Sequence, residues 1–350
     1  MRLYFNKLYT TRAKRPPLKA IVLFSRLEPE RLKEVTHARK RLKRYEVDVS
    51  PLDQDLFRID LSRDIRGRIF EGSLLLDTSE KGIWIAFTNE ETYFVRHIAE
   101  IFFDRLYPAV SRLYLNYYQI RDFMGEIRDA YRGKTTITNF TLKRRPKKWR
   151  LRFAPSKDRR GTLTLWEYDS EEELLTQSRD YRLTIDRLIF DIKSEKGIVL
   201  LQASITRKGL CKLRFGDFTS FYEHVVLKAI HLGMRWKGFY DKRERTIEDG
   251  EIKLNPFSIV YKGNLEQPQL LGLANRLSKT YSCSIVHGGN PYFVANVCDY
   301  DEGSSFGVTA LGNVVTITPI VRGAPEAVWK LANKVQELLG DGEVVDISKN

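Results

Sequence analysis

Ile69-Phe70-Glu71-Gly72-Ser73-Leu74-Leu75-Leu76, then Ser79-Glu80-Lys81-Gly82, then Ile83-Trp84-Ile85-Ala86-Phe87 reads as two strands joined by a polar turn. A helix follows, with Phe94, Ile98, Ile101 and Phe102 at helical spacing until Pro108 stops it, and Ile120, Phe123, Met124 and Ile127 mark another. The five residues Ser79 to Ile83 recur as Ser194 to Ile198, again between apolar runs and ahead of a helical pattern, Phe221 to Leu232. Turn chemistry alone can produce such an identity, so it does not establish a duplication. A third hairpin, Phe306 to Ile317 turning at Gly312-Asn313, leads into an amphipathic helix from Pro325 to Leu339. Strand-rich text broken by lone helices predicts a multidomain α+β chain, with mainly antiparallel sheets built from hairpin-then-helix units.

Outward from this frame, Ala20-Ile21-Val22-Leu23-Phe24 is a buried strand, and Glu30 to Tyr45 is predicted as a helix after Pro29. On that helix Leu32, Val35, Leu42 and Tyr45 form one side, while Lys33, His37, Lys40 and Arg44 form a basic one. Polar breaks near Arg132 to Thr135 and Asp241 to Gly250 divide the chain into a mixed segment 1–132, a strand-rich basic segment 133–245 and an α+β segment 246–350. Three scattered cysteines do not make a disulfide framework, and no apolar run is long enough to cross a bilayer, so a cytoplasmic protein is expected.

The formal charge of +14 is concentrated: residues 1–50 carry +9 and 101–150 carry +8, while 51–100 carry −4. Twelve lysines and arginines fall between 132 and 160, opposed only by Asp158 and interleaved with Phe140, Trp149 and Phe153. This arrangement suits a polyanion, with nucleic acid the expected partner, DNA and RNA being undistinguished. Pairing Lys143 with Lys148 across Arg144, Arg145, Pro146 and Lys147 would put Leu142 opposite Trp149 and Phe140 opposite Leu151. The other face would then carry Lys143, Lys148, Arg150 and Arg152. The expected contacts are Lys143, Arg144, Arg145, Lys147, Lys148, Trp149, Arg150 and Arg152, supported by Lys33, Lys40 and Arg44. The bland alternative is that these charges blunt an exposed strand edge. Tyr107, Tyr114, Tyr117 and Tyr118 read as half-buried packing residues rather than a stacking platform.

Catalytic signals are sparse. Asp241 with Glu251-Ile252-Lys253 has the spacing of a metal-dependent nuclease, whose two carboxylates would hold the cation while the lysine steadies water. Cys283, His287 and Cys298 have zinc-binding side chains at a spacing that matches no zinc pattern, and His287 sits in a turn where a plain hairpin suffices. No phosphate-binding loop, dinucleotide fingerprint or nucleophile elbow is present, and no cofactor is expected. The alternatives to nucleic-acid binding are that nuclease and a scaffold that docks an acidic protein. The C-terminal segment, with its apolar helix, is expected to pack against a partner or a second copy.

Overall fold

β1 (Leu18–Ser25) forms the middle of a large sheet, pairing antiparallel with β5 (Ile83–Thr88) on one edge and β11 (Leu210–Phe215) on the other. Leu18, Ala20, Val22 and Phe24 enter one apolar cluster, while Ile21 and Leu23 enter another on the opposite face. Burial on both faces explains why this strand reads as a continuous apolar run instead of alternating. The computed structural model describes residues 17–130, 134–144, 162–168, 183–194, 196–248, 251–288 and 292–347.

The remaining strands of this sheet are β2 (Tyr45–Asp53), β3 (Leu56–Ile65), β4 (Arg68–Asp77), β6 (Val110–Arg112), β7 (Lys134–Arg144), β8 (Thr162–Tyr168), β9 (Leu183–Lys193) and β10 (Val199–Thr206). Their order is β2-β3-β4-β5-β1-β11-β10-β9-β7-β8, with β6 pairing to the end of β1. Helix α1 (Leu32–Ala38) lies between two 3₁₀ turns, Pro29–Arg31 and Lys40–Leu42. Helix α2 runs through Thr92–Phe94, a π turn Val95–Ala99, and Glu100–Arg105. Leu32, Phe94, Ile98 and Phe102 from these helices join Ile21, Ile59 and Trp84, so α1 and α2 cover one face of the β2-to-β1 half. Helix α3 (Tyr117–Ala130) and helix α4 (Phe218–Phe221, a π turn Tyr222–Val226, Leu227–Asp241) cover the other face, where Phe123, Phe221 and Val225 meet Val22, Phe190 and Ala203.

A second, six-stranded sheet is ordered β15-β16-β17-β18-β14-β19. It comprises β14 (Phe257–Val260), β15 (Ser282–His287), β16 (Tyr292–Asp299), β17 (Ser304–Leu311), β18 (Val314–Val321) and β19 (Glu343–Asp346), beside a small ribbon of β12 (Thr246–Glu248) and β13 (Glu251–Lys253). Phe293, Ala295, Phe306 and Val308 face helices α5 (Gln267–Leu277) and α6 (Pro325–Leu339), in strict alternation with outward residues. Helix α6 also packs on the first sheet's helices: Trp329 stacks on Tyr240 of α4 at 5.7 Å and meets Phe24 of β1 at 4.8 Å. Polar latches join the same parts. Arg207 pairs with Asp341, both nearly buried, and Tyr107 donates to Asp299 at 3.0 Å.

The α+β class, the antiparallel sheets and the three hairpin-then-helix units are therefore present. One local expectation is corrected. The helix predicted over Glu30 to Tyr45 is helical only to Ala38, because Arg39 turns extended, and Tyr45 begins β2. Strands β2 and β3 went unread, since charged residues interleave Val47, Ile59 and Leu61. The break at residue 132 falls between α3 and β7, yet strands on both sides of it share one sheet.

Candidate nucleic-acid interface

Past β1, the face that α2 covers carries polar side chains. Ala203, Ile205, Cys211 and Leu213 point to the apolar cluster of the opposite face. Alternation therefore turns Ser204, Thr206, Lys212 and Arg214 the other way, beside Lys19 of β1 and Arg187 of β9. Register then brings the charges together. Lys19 lies directly opposite Lys212, Lys212's other neighbour is Ser204, and Thr206 lies opposite Arg187. The start of α2 adds Thr92, and its π turn adds Arg96. With Lys19, Arg187, Ser204, Thr206 and Lys212 they line a cup of about 10 Å³, room for a single oxygen atom.

Like charges directly across a ladder repel, and here partial burial weakens their screening by water. Burial, reinforced by Lys19, Arg214, Arg187 and Arg96, pushes the Lys212 ammonium down to about 8. Burial also lowers Arg187, together with Arg214 and Arg96, and Asp186 offsets this only in part. Lys19 is 2% exposed and is lowered by that burial; it donates to the carbonyls of Pro17 and Glu90. Lys212 reaches the Thr92 hydroxyl at 3.4 Å, and among the described residues it forms no ion pair. Asp191, an acid of β9 on this face, accepts from Gln202 at 2.8 Å. Cations outnumber acids around the cup, and hydroxyls fill the gaps between them. Point charges beside neutral hydroxyl donors are the chemistry that suits an oxyanion.

Of the contacts expected from the sequence, Lys143 and Arg144 end β7. Arg145, Lys147, Lys148, Trp149, Arg150 and Arg152 lie outside the described residues. The predicted register is corrected: β7 pairs with β8 on one side and β9 on the other, so Phe140 lies opposite Leu165 in place of Leu151, and Lys143 opposite Thr162 in place of Lys148. Thr162–Tyr168 alternates and has no lysine or arginine, so this pairing avoids like charges in direct opposition. β7 is consequently an interior strand, and its register sets Thr141 across from Arg187.

Lys33, Lys40 and Arg44 are exposed but do not share one helix stripe, because the helix ends before Lys40. Lys33 approaches Asp48 at 3.6 Å. β2, on which α1 packs, lies five ladder steps from β11, about 24 Å at the usual strand spacing.

Asp241 ends helix α4 and pairs its carboxylate with Lys237 at 2.9 Å, whereas Glu251 and Lys253 lie on β13, whose ladder partner is β12. Cys283 lies opposite Val297 and Cys298 opposite Ser282, so alternation puts the two thiols on opposite faces of the sheet. His287 stacks on Tyr292 at 4.1 Å. Among the described residues no group of three potential ligands could hold a metal ion, and no helix is long and apolar enough to cross a membrane.

The five-cation cluster went unread because its members come from four separate stretches of chain. A local signal existed in Leu210-Cys211-Lys212-Leu213-Arg214, where two cations alternate with apolar residues. Comparison with known proteins found no matching family model, no matching curated protein and no matching solved structure.

Proposed function

We propose that this protein binds nucleic acid through its phosphate backbone, on the sheet face that carries Lys19, Arg187, Lys212 and Arg214. The basic segment from Lys143 to Arg152 would supply further phosphate contacts. The observation that carries this reading is the crowding of Lys212 by four other cations with no ion pair of its own among the described residues. Such crowding destabilises a free protein and is relieved by an anion, so its cost is offset when a phosphate docks at the rim with one oxygen in the cup. The geometry of the sheet supports an extended contact. β7 lies three ladder steps from β11, about 14 Å, a distance that two phosphates along a strand readily span. Mixed lysine and arginine contacts to phosphate position a nucleic acid without reading its bases.

The test is a salt titration of binding to labelled duplex DNA, single-stranded DNA and RNA. Wild type is compared with Lys212→Met/Arg214→Met and with Lys143→Ala/Lys148→Ala/Arg150→Ala/Arg152→Ala. For every phosphate that a variant no longer neutralises, the slope of log affinity against log salt should fall by about 0.7 to 0.9. Failure of wild type to bind all three at low salt would sink the proposal. Unchanged slope in the Lys212→Met/Arg214→Met variant would remove the sheet face from it, and Mg²⁺-dependent cleavage in the same tubes would revive the nuclease alternative.

A further inference from the structure

The second sheet keeps both of its helices on one face. Phe293, Ala295, Phe306 and Val308 point to α5 and α6, so alternation turns their neighbours to an open face. Ladder register lays that face out in rows. One row, His287, Val294, Thr309, Thr316, Ser258 and Val345, runs across all six strands. The row beside it starts at Tyr292 and Leu311, the latter 57% exposed, and ends at Glu343. Among the described residues Glu343, on the edge strand β19, is the one charged strand residue of this face. We propose that this uncharged face is the interface of a dimer, packed against the same face of a second copy of the chain. The assembly does not depend on the nucleic-acid reading, which concerns the first sheet.

Charge selects that occupant. In a chain that is 30% charged, a sheet face uncharged up to its edge strand cannot take a charged partner without stripping water from ions it has nothing to pair with. An acidic protein or a phosphate chain is therefore a poor fit, and a copy of the same face is a good one. Residues 251–350 hold 8 lysines and arginines against 10 aspartates and glutamates, net −2, so the first 250 residues carry +16. Helix α6, on the inner face, packs on α4 and β1, which puts the first sheet and its cations on the far side of the second sheet from the open face. Two copies joined through that face hold their basic parts apart, where salt screens them.

Area and relief agree with this. At about 4.8 Å between strands and about 3.3 Å per residue, the six strands cover roughly 600 Å² in projection, close to the 800 Å² or so per partner of a stable complex. The ribbon of β12 and β13 extends the patch. The Arg245 N–H donates to the Arg322 carbonyl at 2.9 Å, which fixes the ribbon beside the end of β18, and it carries Ile247 opposite Ile252, both exposed. Valine, threonine, serine and Gly307 make a low surface, as two sheets need if they are to stack about 10 Å apart. The hydroxyls of Ser258 and Thr316 bond each other at 2.9 Å, so covering them leaves neither unsatisfied. The apolar stripe of α6, the surface expected from the sequence to dock a partner, is already used inside the chain.

The experiment is sedimentation of the full chain, freed of nucleic acid at high salt. At about 50 μM wild type should be a dimer, because interfaces of this size hold with a micromolar or tighter Kd. Raising salt screens the like charge of the two copies, so it should tighten the dimer while it loosens any nucleic acid. Thr309→Arg puts two cations into the middle of the interface and should weaken association at least about a hundredfold. Its unfolding in urea should match that of wild type at concentrations where both are monomers, since Thr309 is exposed in the single chain. Asn296→Arg, also exposed on this face, serves if that variant does not fold. Thr309→Val, and Ile198→Arg with its cation on the exposed turn between β9 and β10, should both remain dimers. Cys298 gives a second readout. It lies half-buried on this face, so its reaction with a thiol reagent should slow as wild type is concentrated, and should not slow in Thr309→Arg. Wild type that stays monomeric overturns the proposal, and slow labelling of Cys298 in that monomer would mean that the chain covers its own face. A dimer that survives both arginine substitutions overturns it too, because the copies then meet elsewhere.

Discussion

Replacing Lys212 by methionine should make the free protein more stable and the complex weaker, an opposition that an ordinary structural lysine would not produce. The ammonium falls from its usual 10.5 to about 8, chiefly through burial and then through Lys19, Arg214, Arg187 and Arg96. At about 1.4 kcal/mol per tenfold change, that fall caps the destabilisation near 3 kcal/mol. Partial exposure and salt screen such a cluster, so a gain of about 1 to 2 kcal/mol is expected at pH 7. Methionine keeps the stem's packing while deleting the charge. Urea unfolding provides the assay, in which the midpoint should rise without a change in slope. The pH dependence has a definite sign. Between about 8 and 10.5 the unfolded chain binds more protons at this position than the folded one, so wild-type stability should rise with pH across that window, and the variant should lack the rise. A bound phosphate restores the proton, so wild-type affinity for nucleic acid should decline as pH increases above 8 and the variant's should stay flat. A variant that unfolds at lower urea than wild type would refute the idea that these cations repel.

Three further outcomes follow from packing. Gly209 has φ +69°, and a Cβ there would sit 2.7 Å from Leu113 Cβ and 3.0 Å from its carbonyl oxygen, so Gly209→Ala should cost about 1 to 3 kcal/mol in urea unfolding. Arg207→Met would leave Asp341 buried without its partner and should destabilise by about 3 to 5 kcal/mol, with Arg207→Met/Asp341→Leu recovering much of the stability; an Arg207→Met protein as stable as wild type would show that this latch is idle. The Cys211 thiol is fully buried and pushed up to about 12 by that burial, so it should react with a thiol reagent only on unfolding, at a rate that follows denaturant.

The strands around Ala20 to Phe24 and Ile83 to Phe87, the turn at Gly82, and the helices ending near Pro108 and Leu339 were legible because each is fixed by local hydrophobic period and turn chemistry. What failed depended on partners far away in sequence. Arg39 ends its helix where it donates to the carbonyls of Arg105 and Tyr107, a contact no local pattern announces. The basic strand took Thr162–Tyr168 and β9 as neighbours because interior strands are chosen by what pairs on both edges, and nearness in sequence supplied a plausible but different partner.

The candidate site divides along the same line. By itself the sequence determined that this chain is strongly basic, that its charge is concentrated, and that alternating strands must present polar residues on one face. Charge and period are properties of neighbouring residues, so they survive without a fold. Only tertiary structure decided that Lys19, Arg96, Arg187, Lys212 and Arg214 meet, because their meeting requires β1 to pair with β11 and the N-terminal part of α2 to lie beside them. Electrostatic repulsion falls with distance in space and takes no account of distance along the chain, and so the group whose ionisation is most informative, Lys212, carries no mark in the sequence.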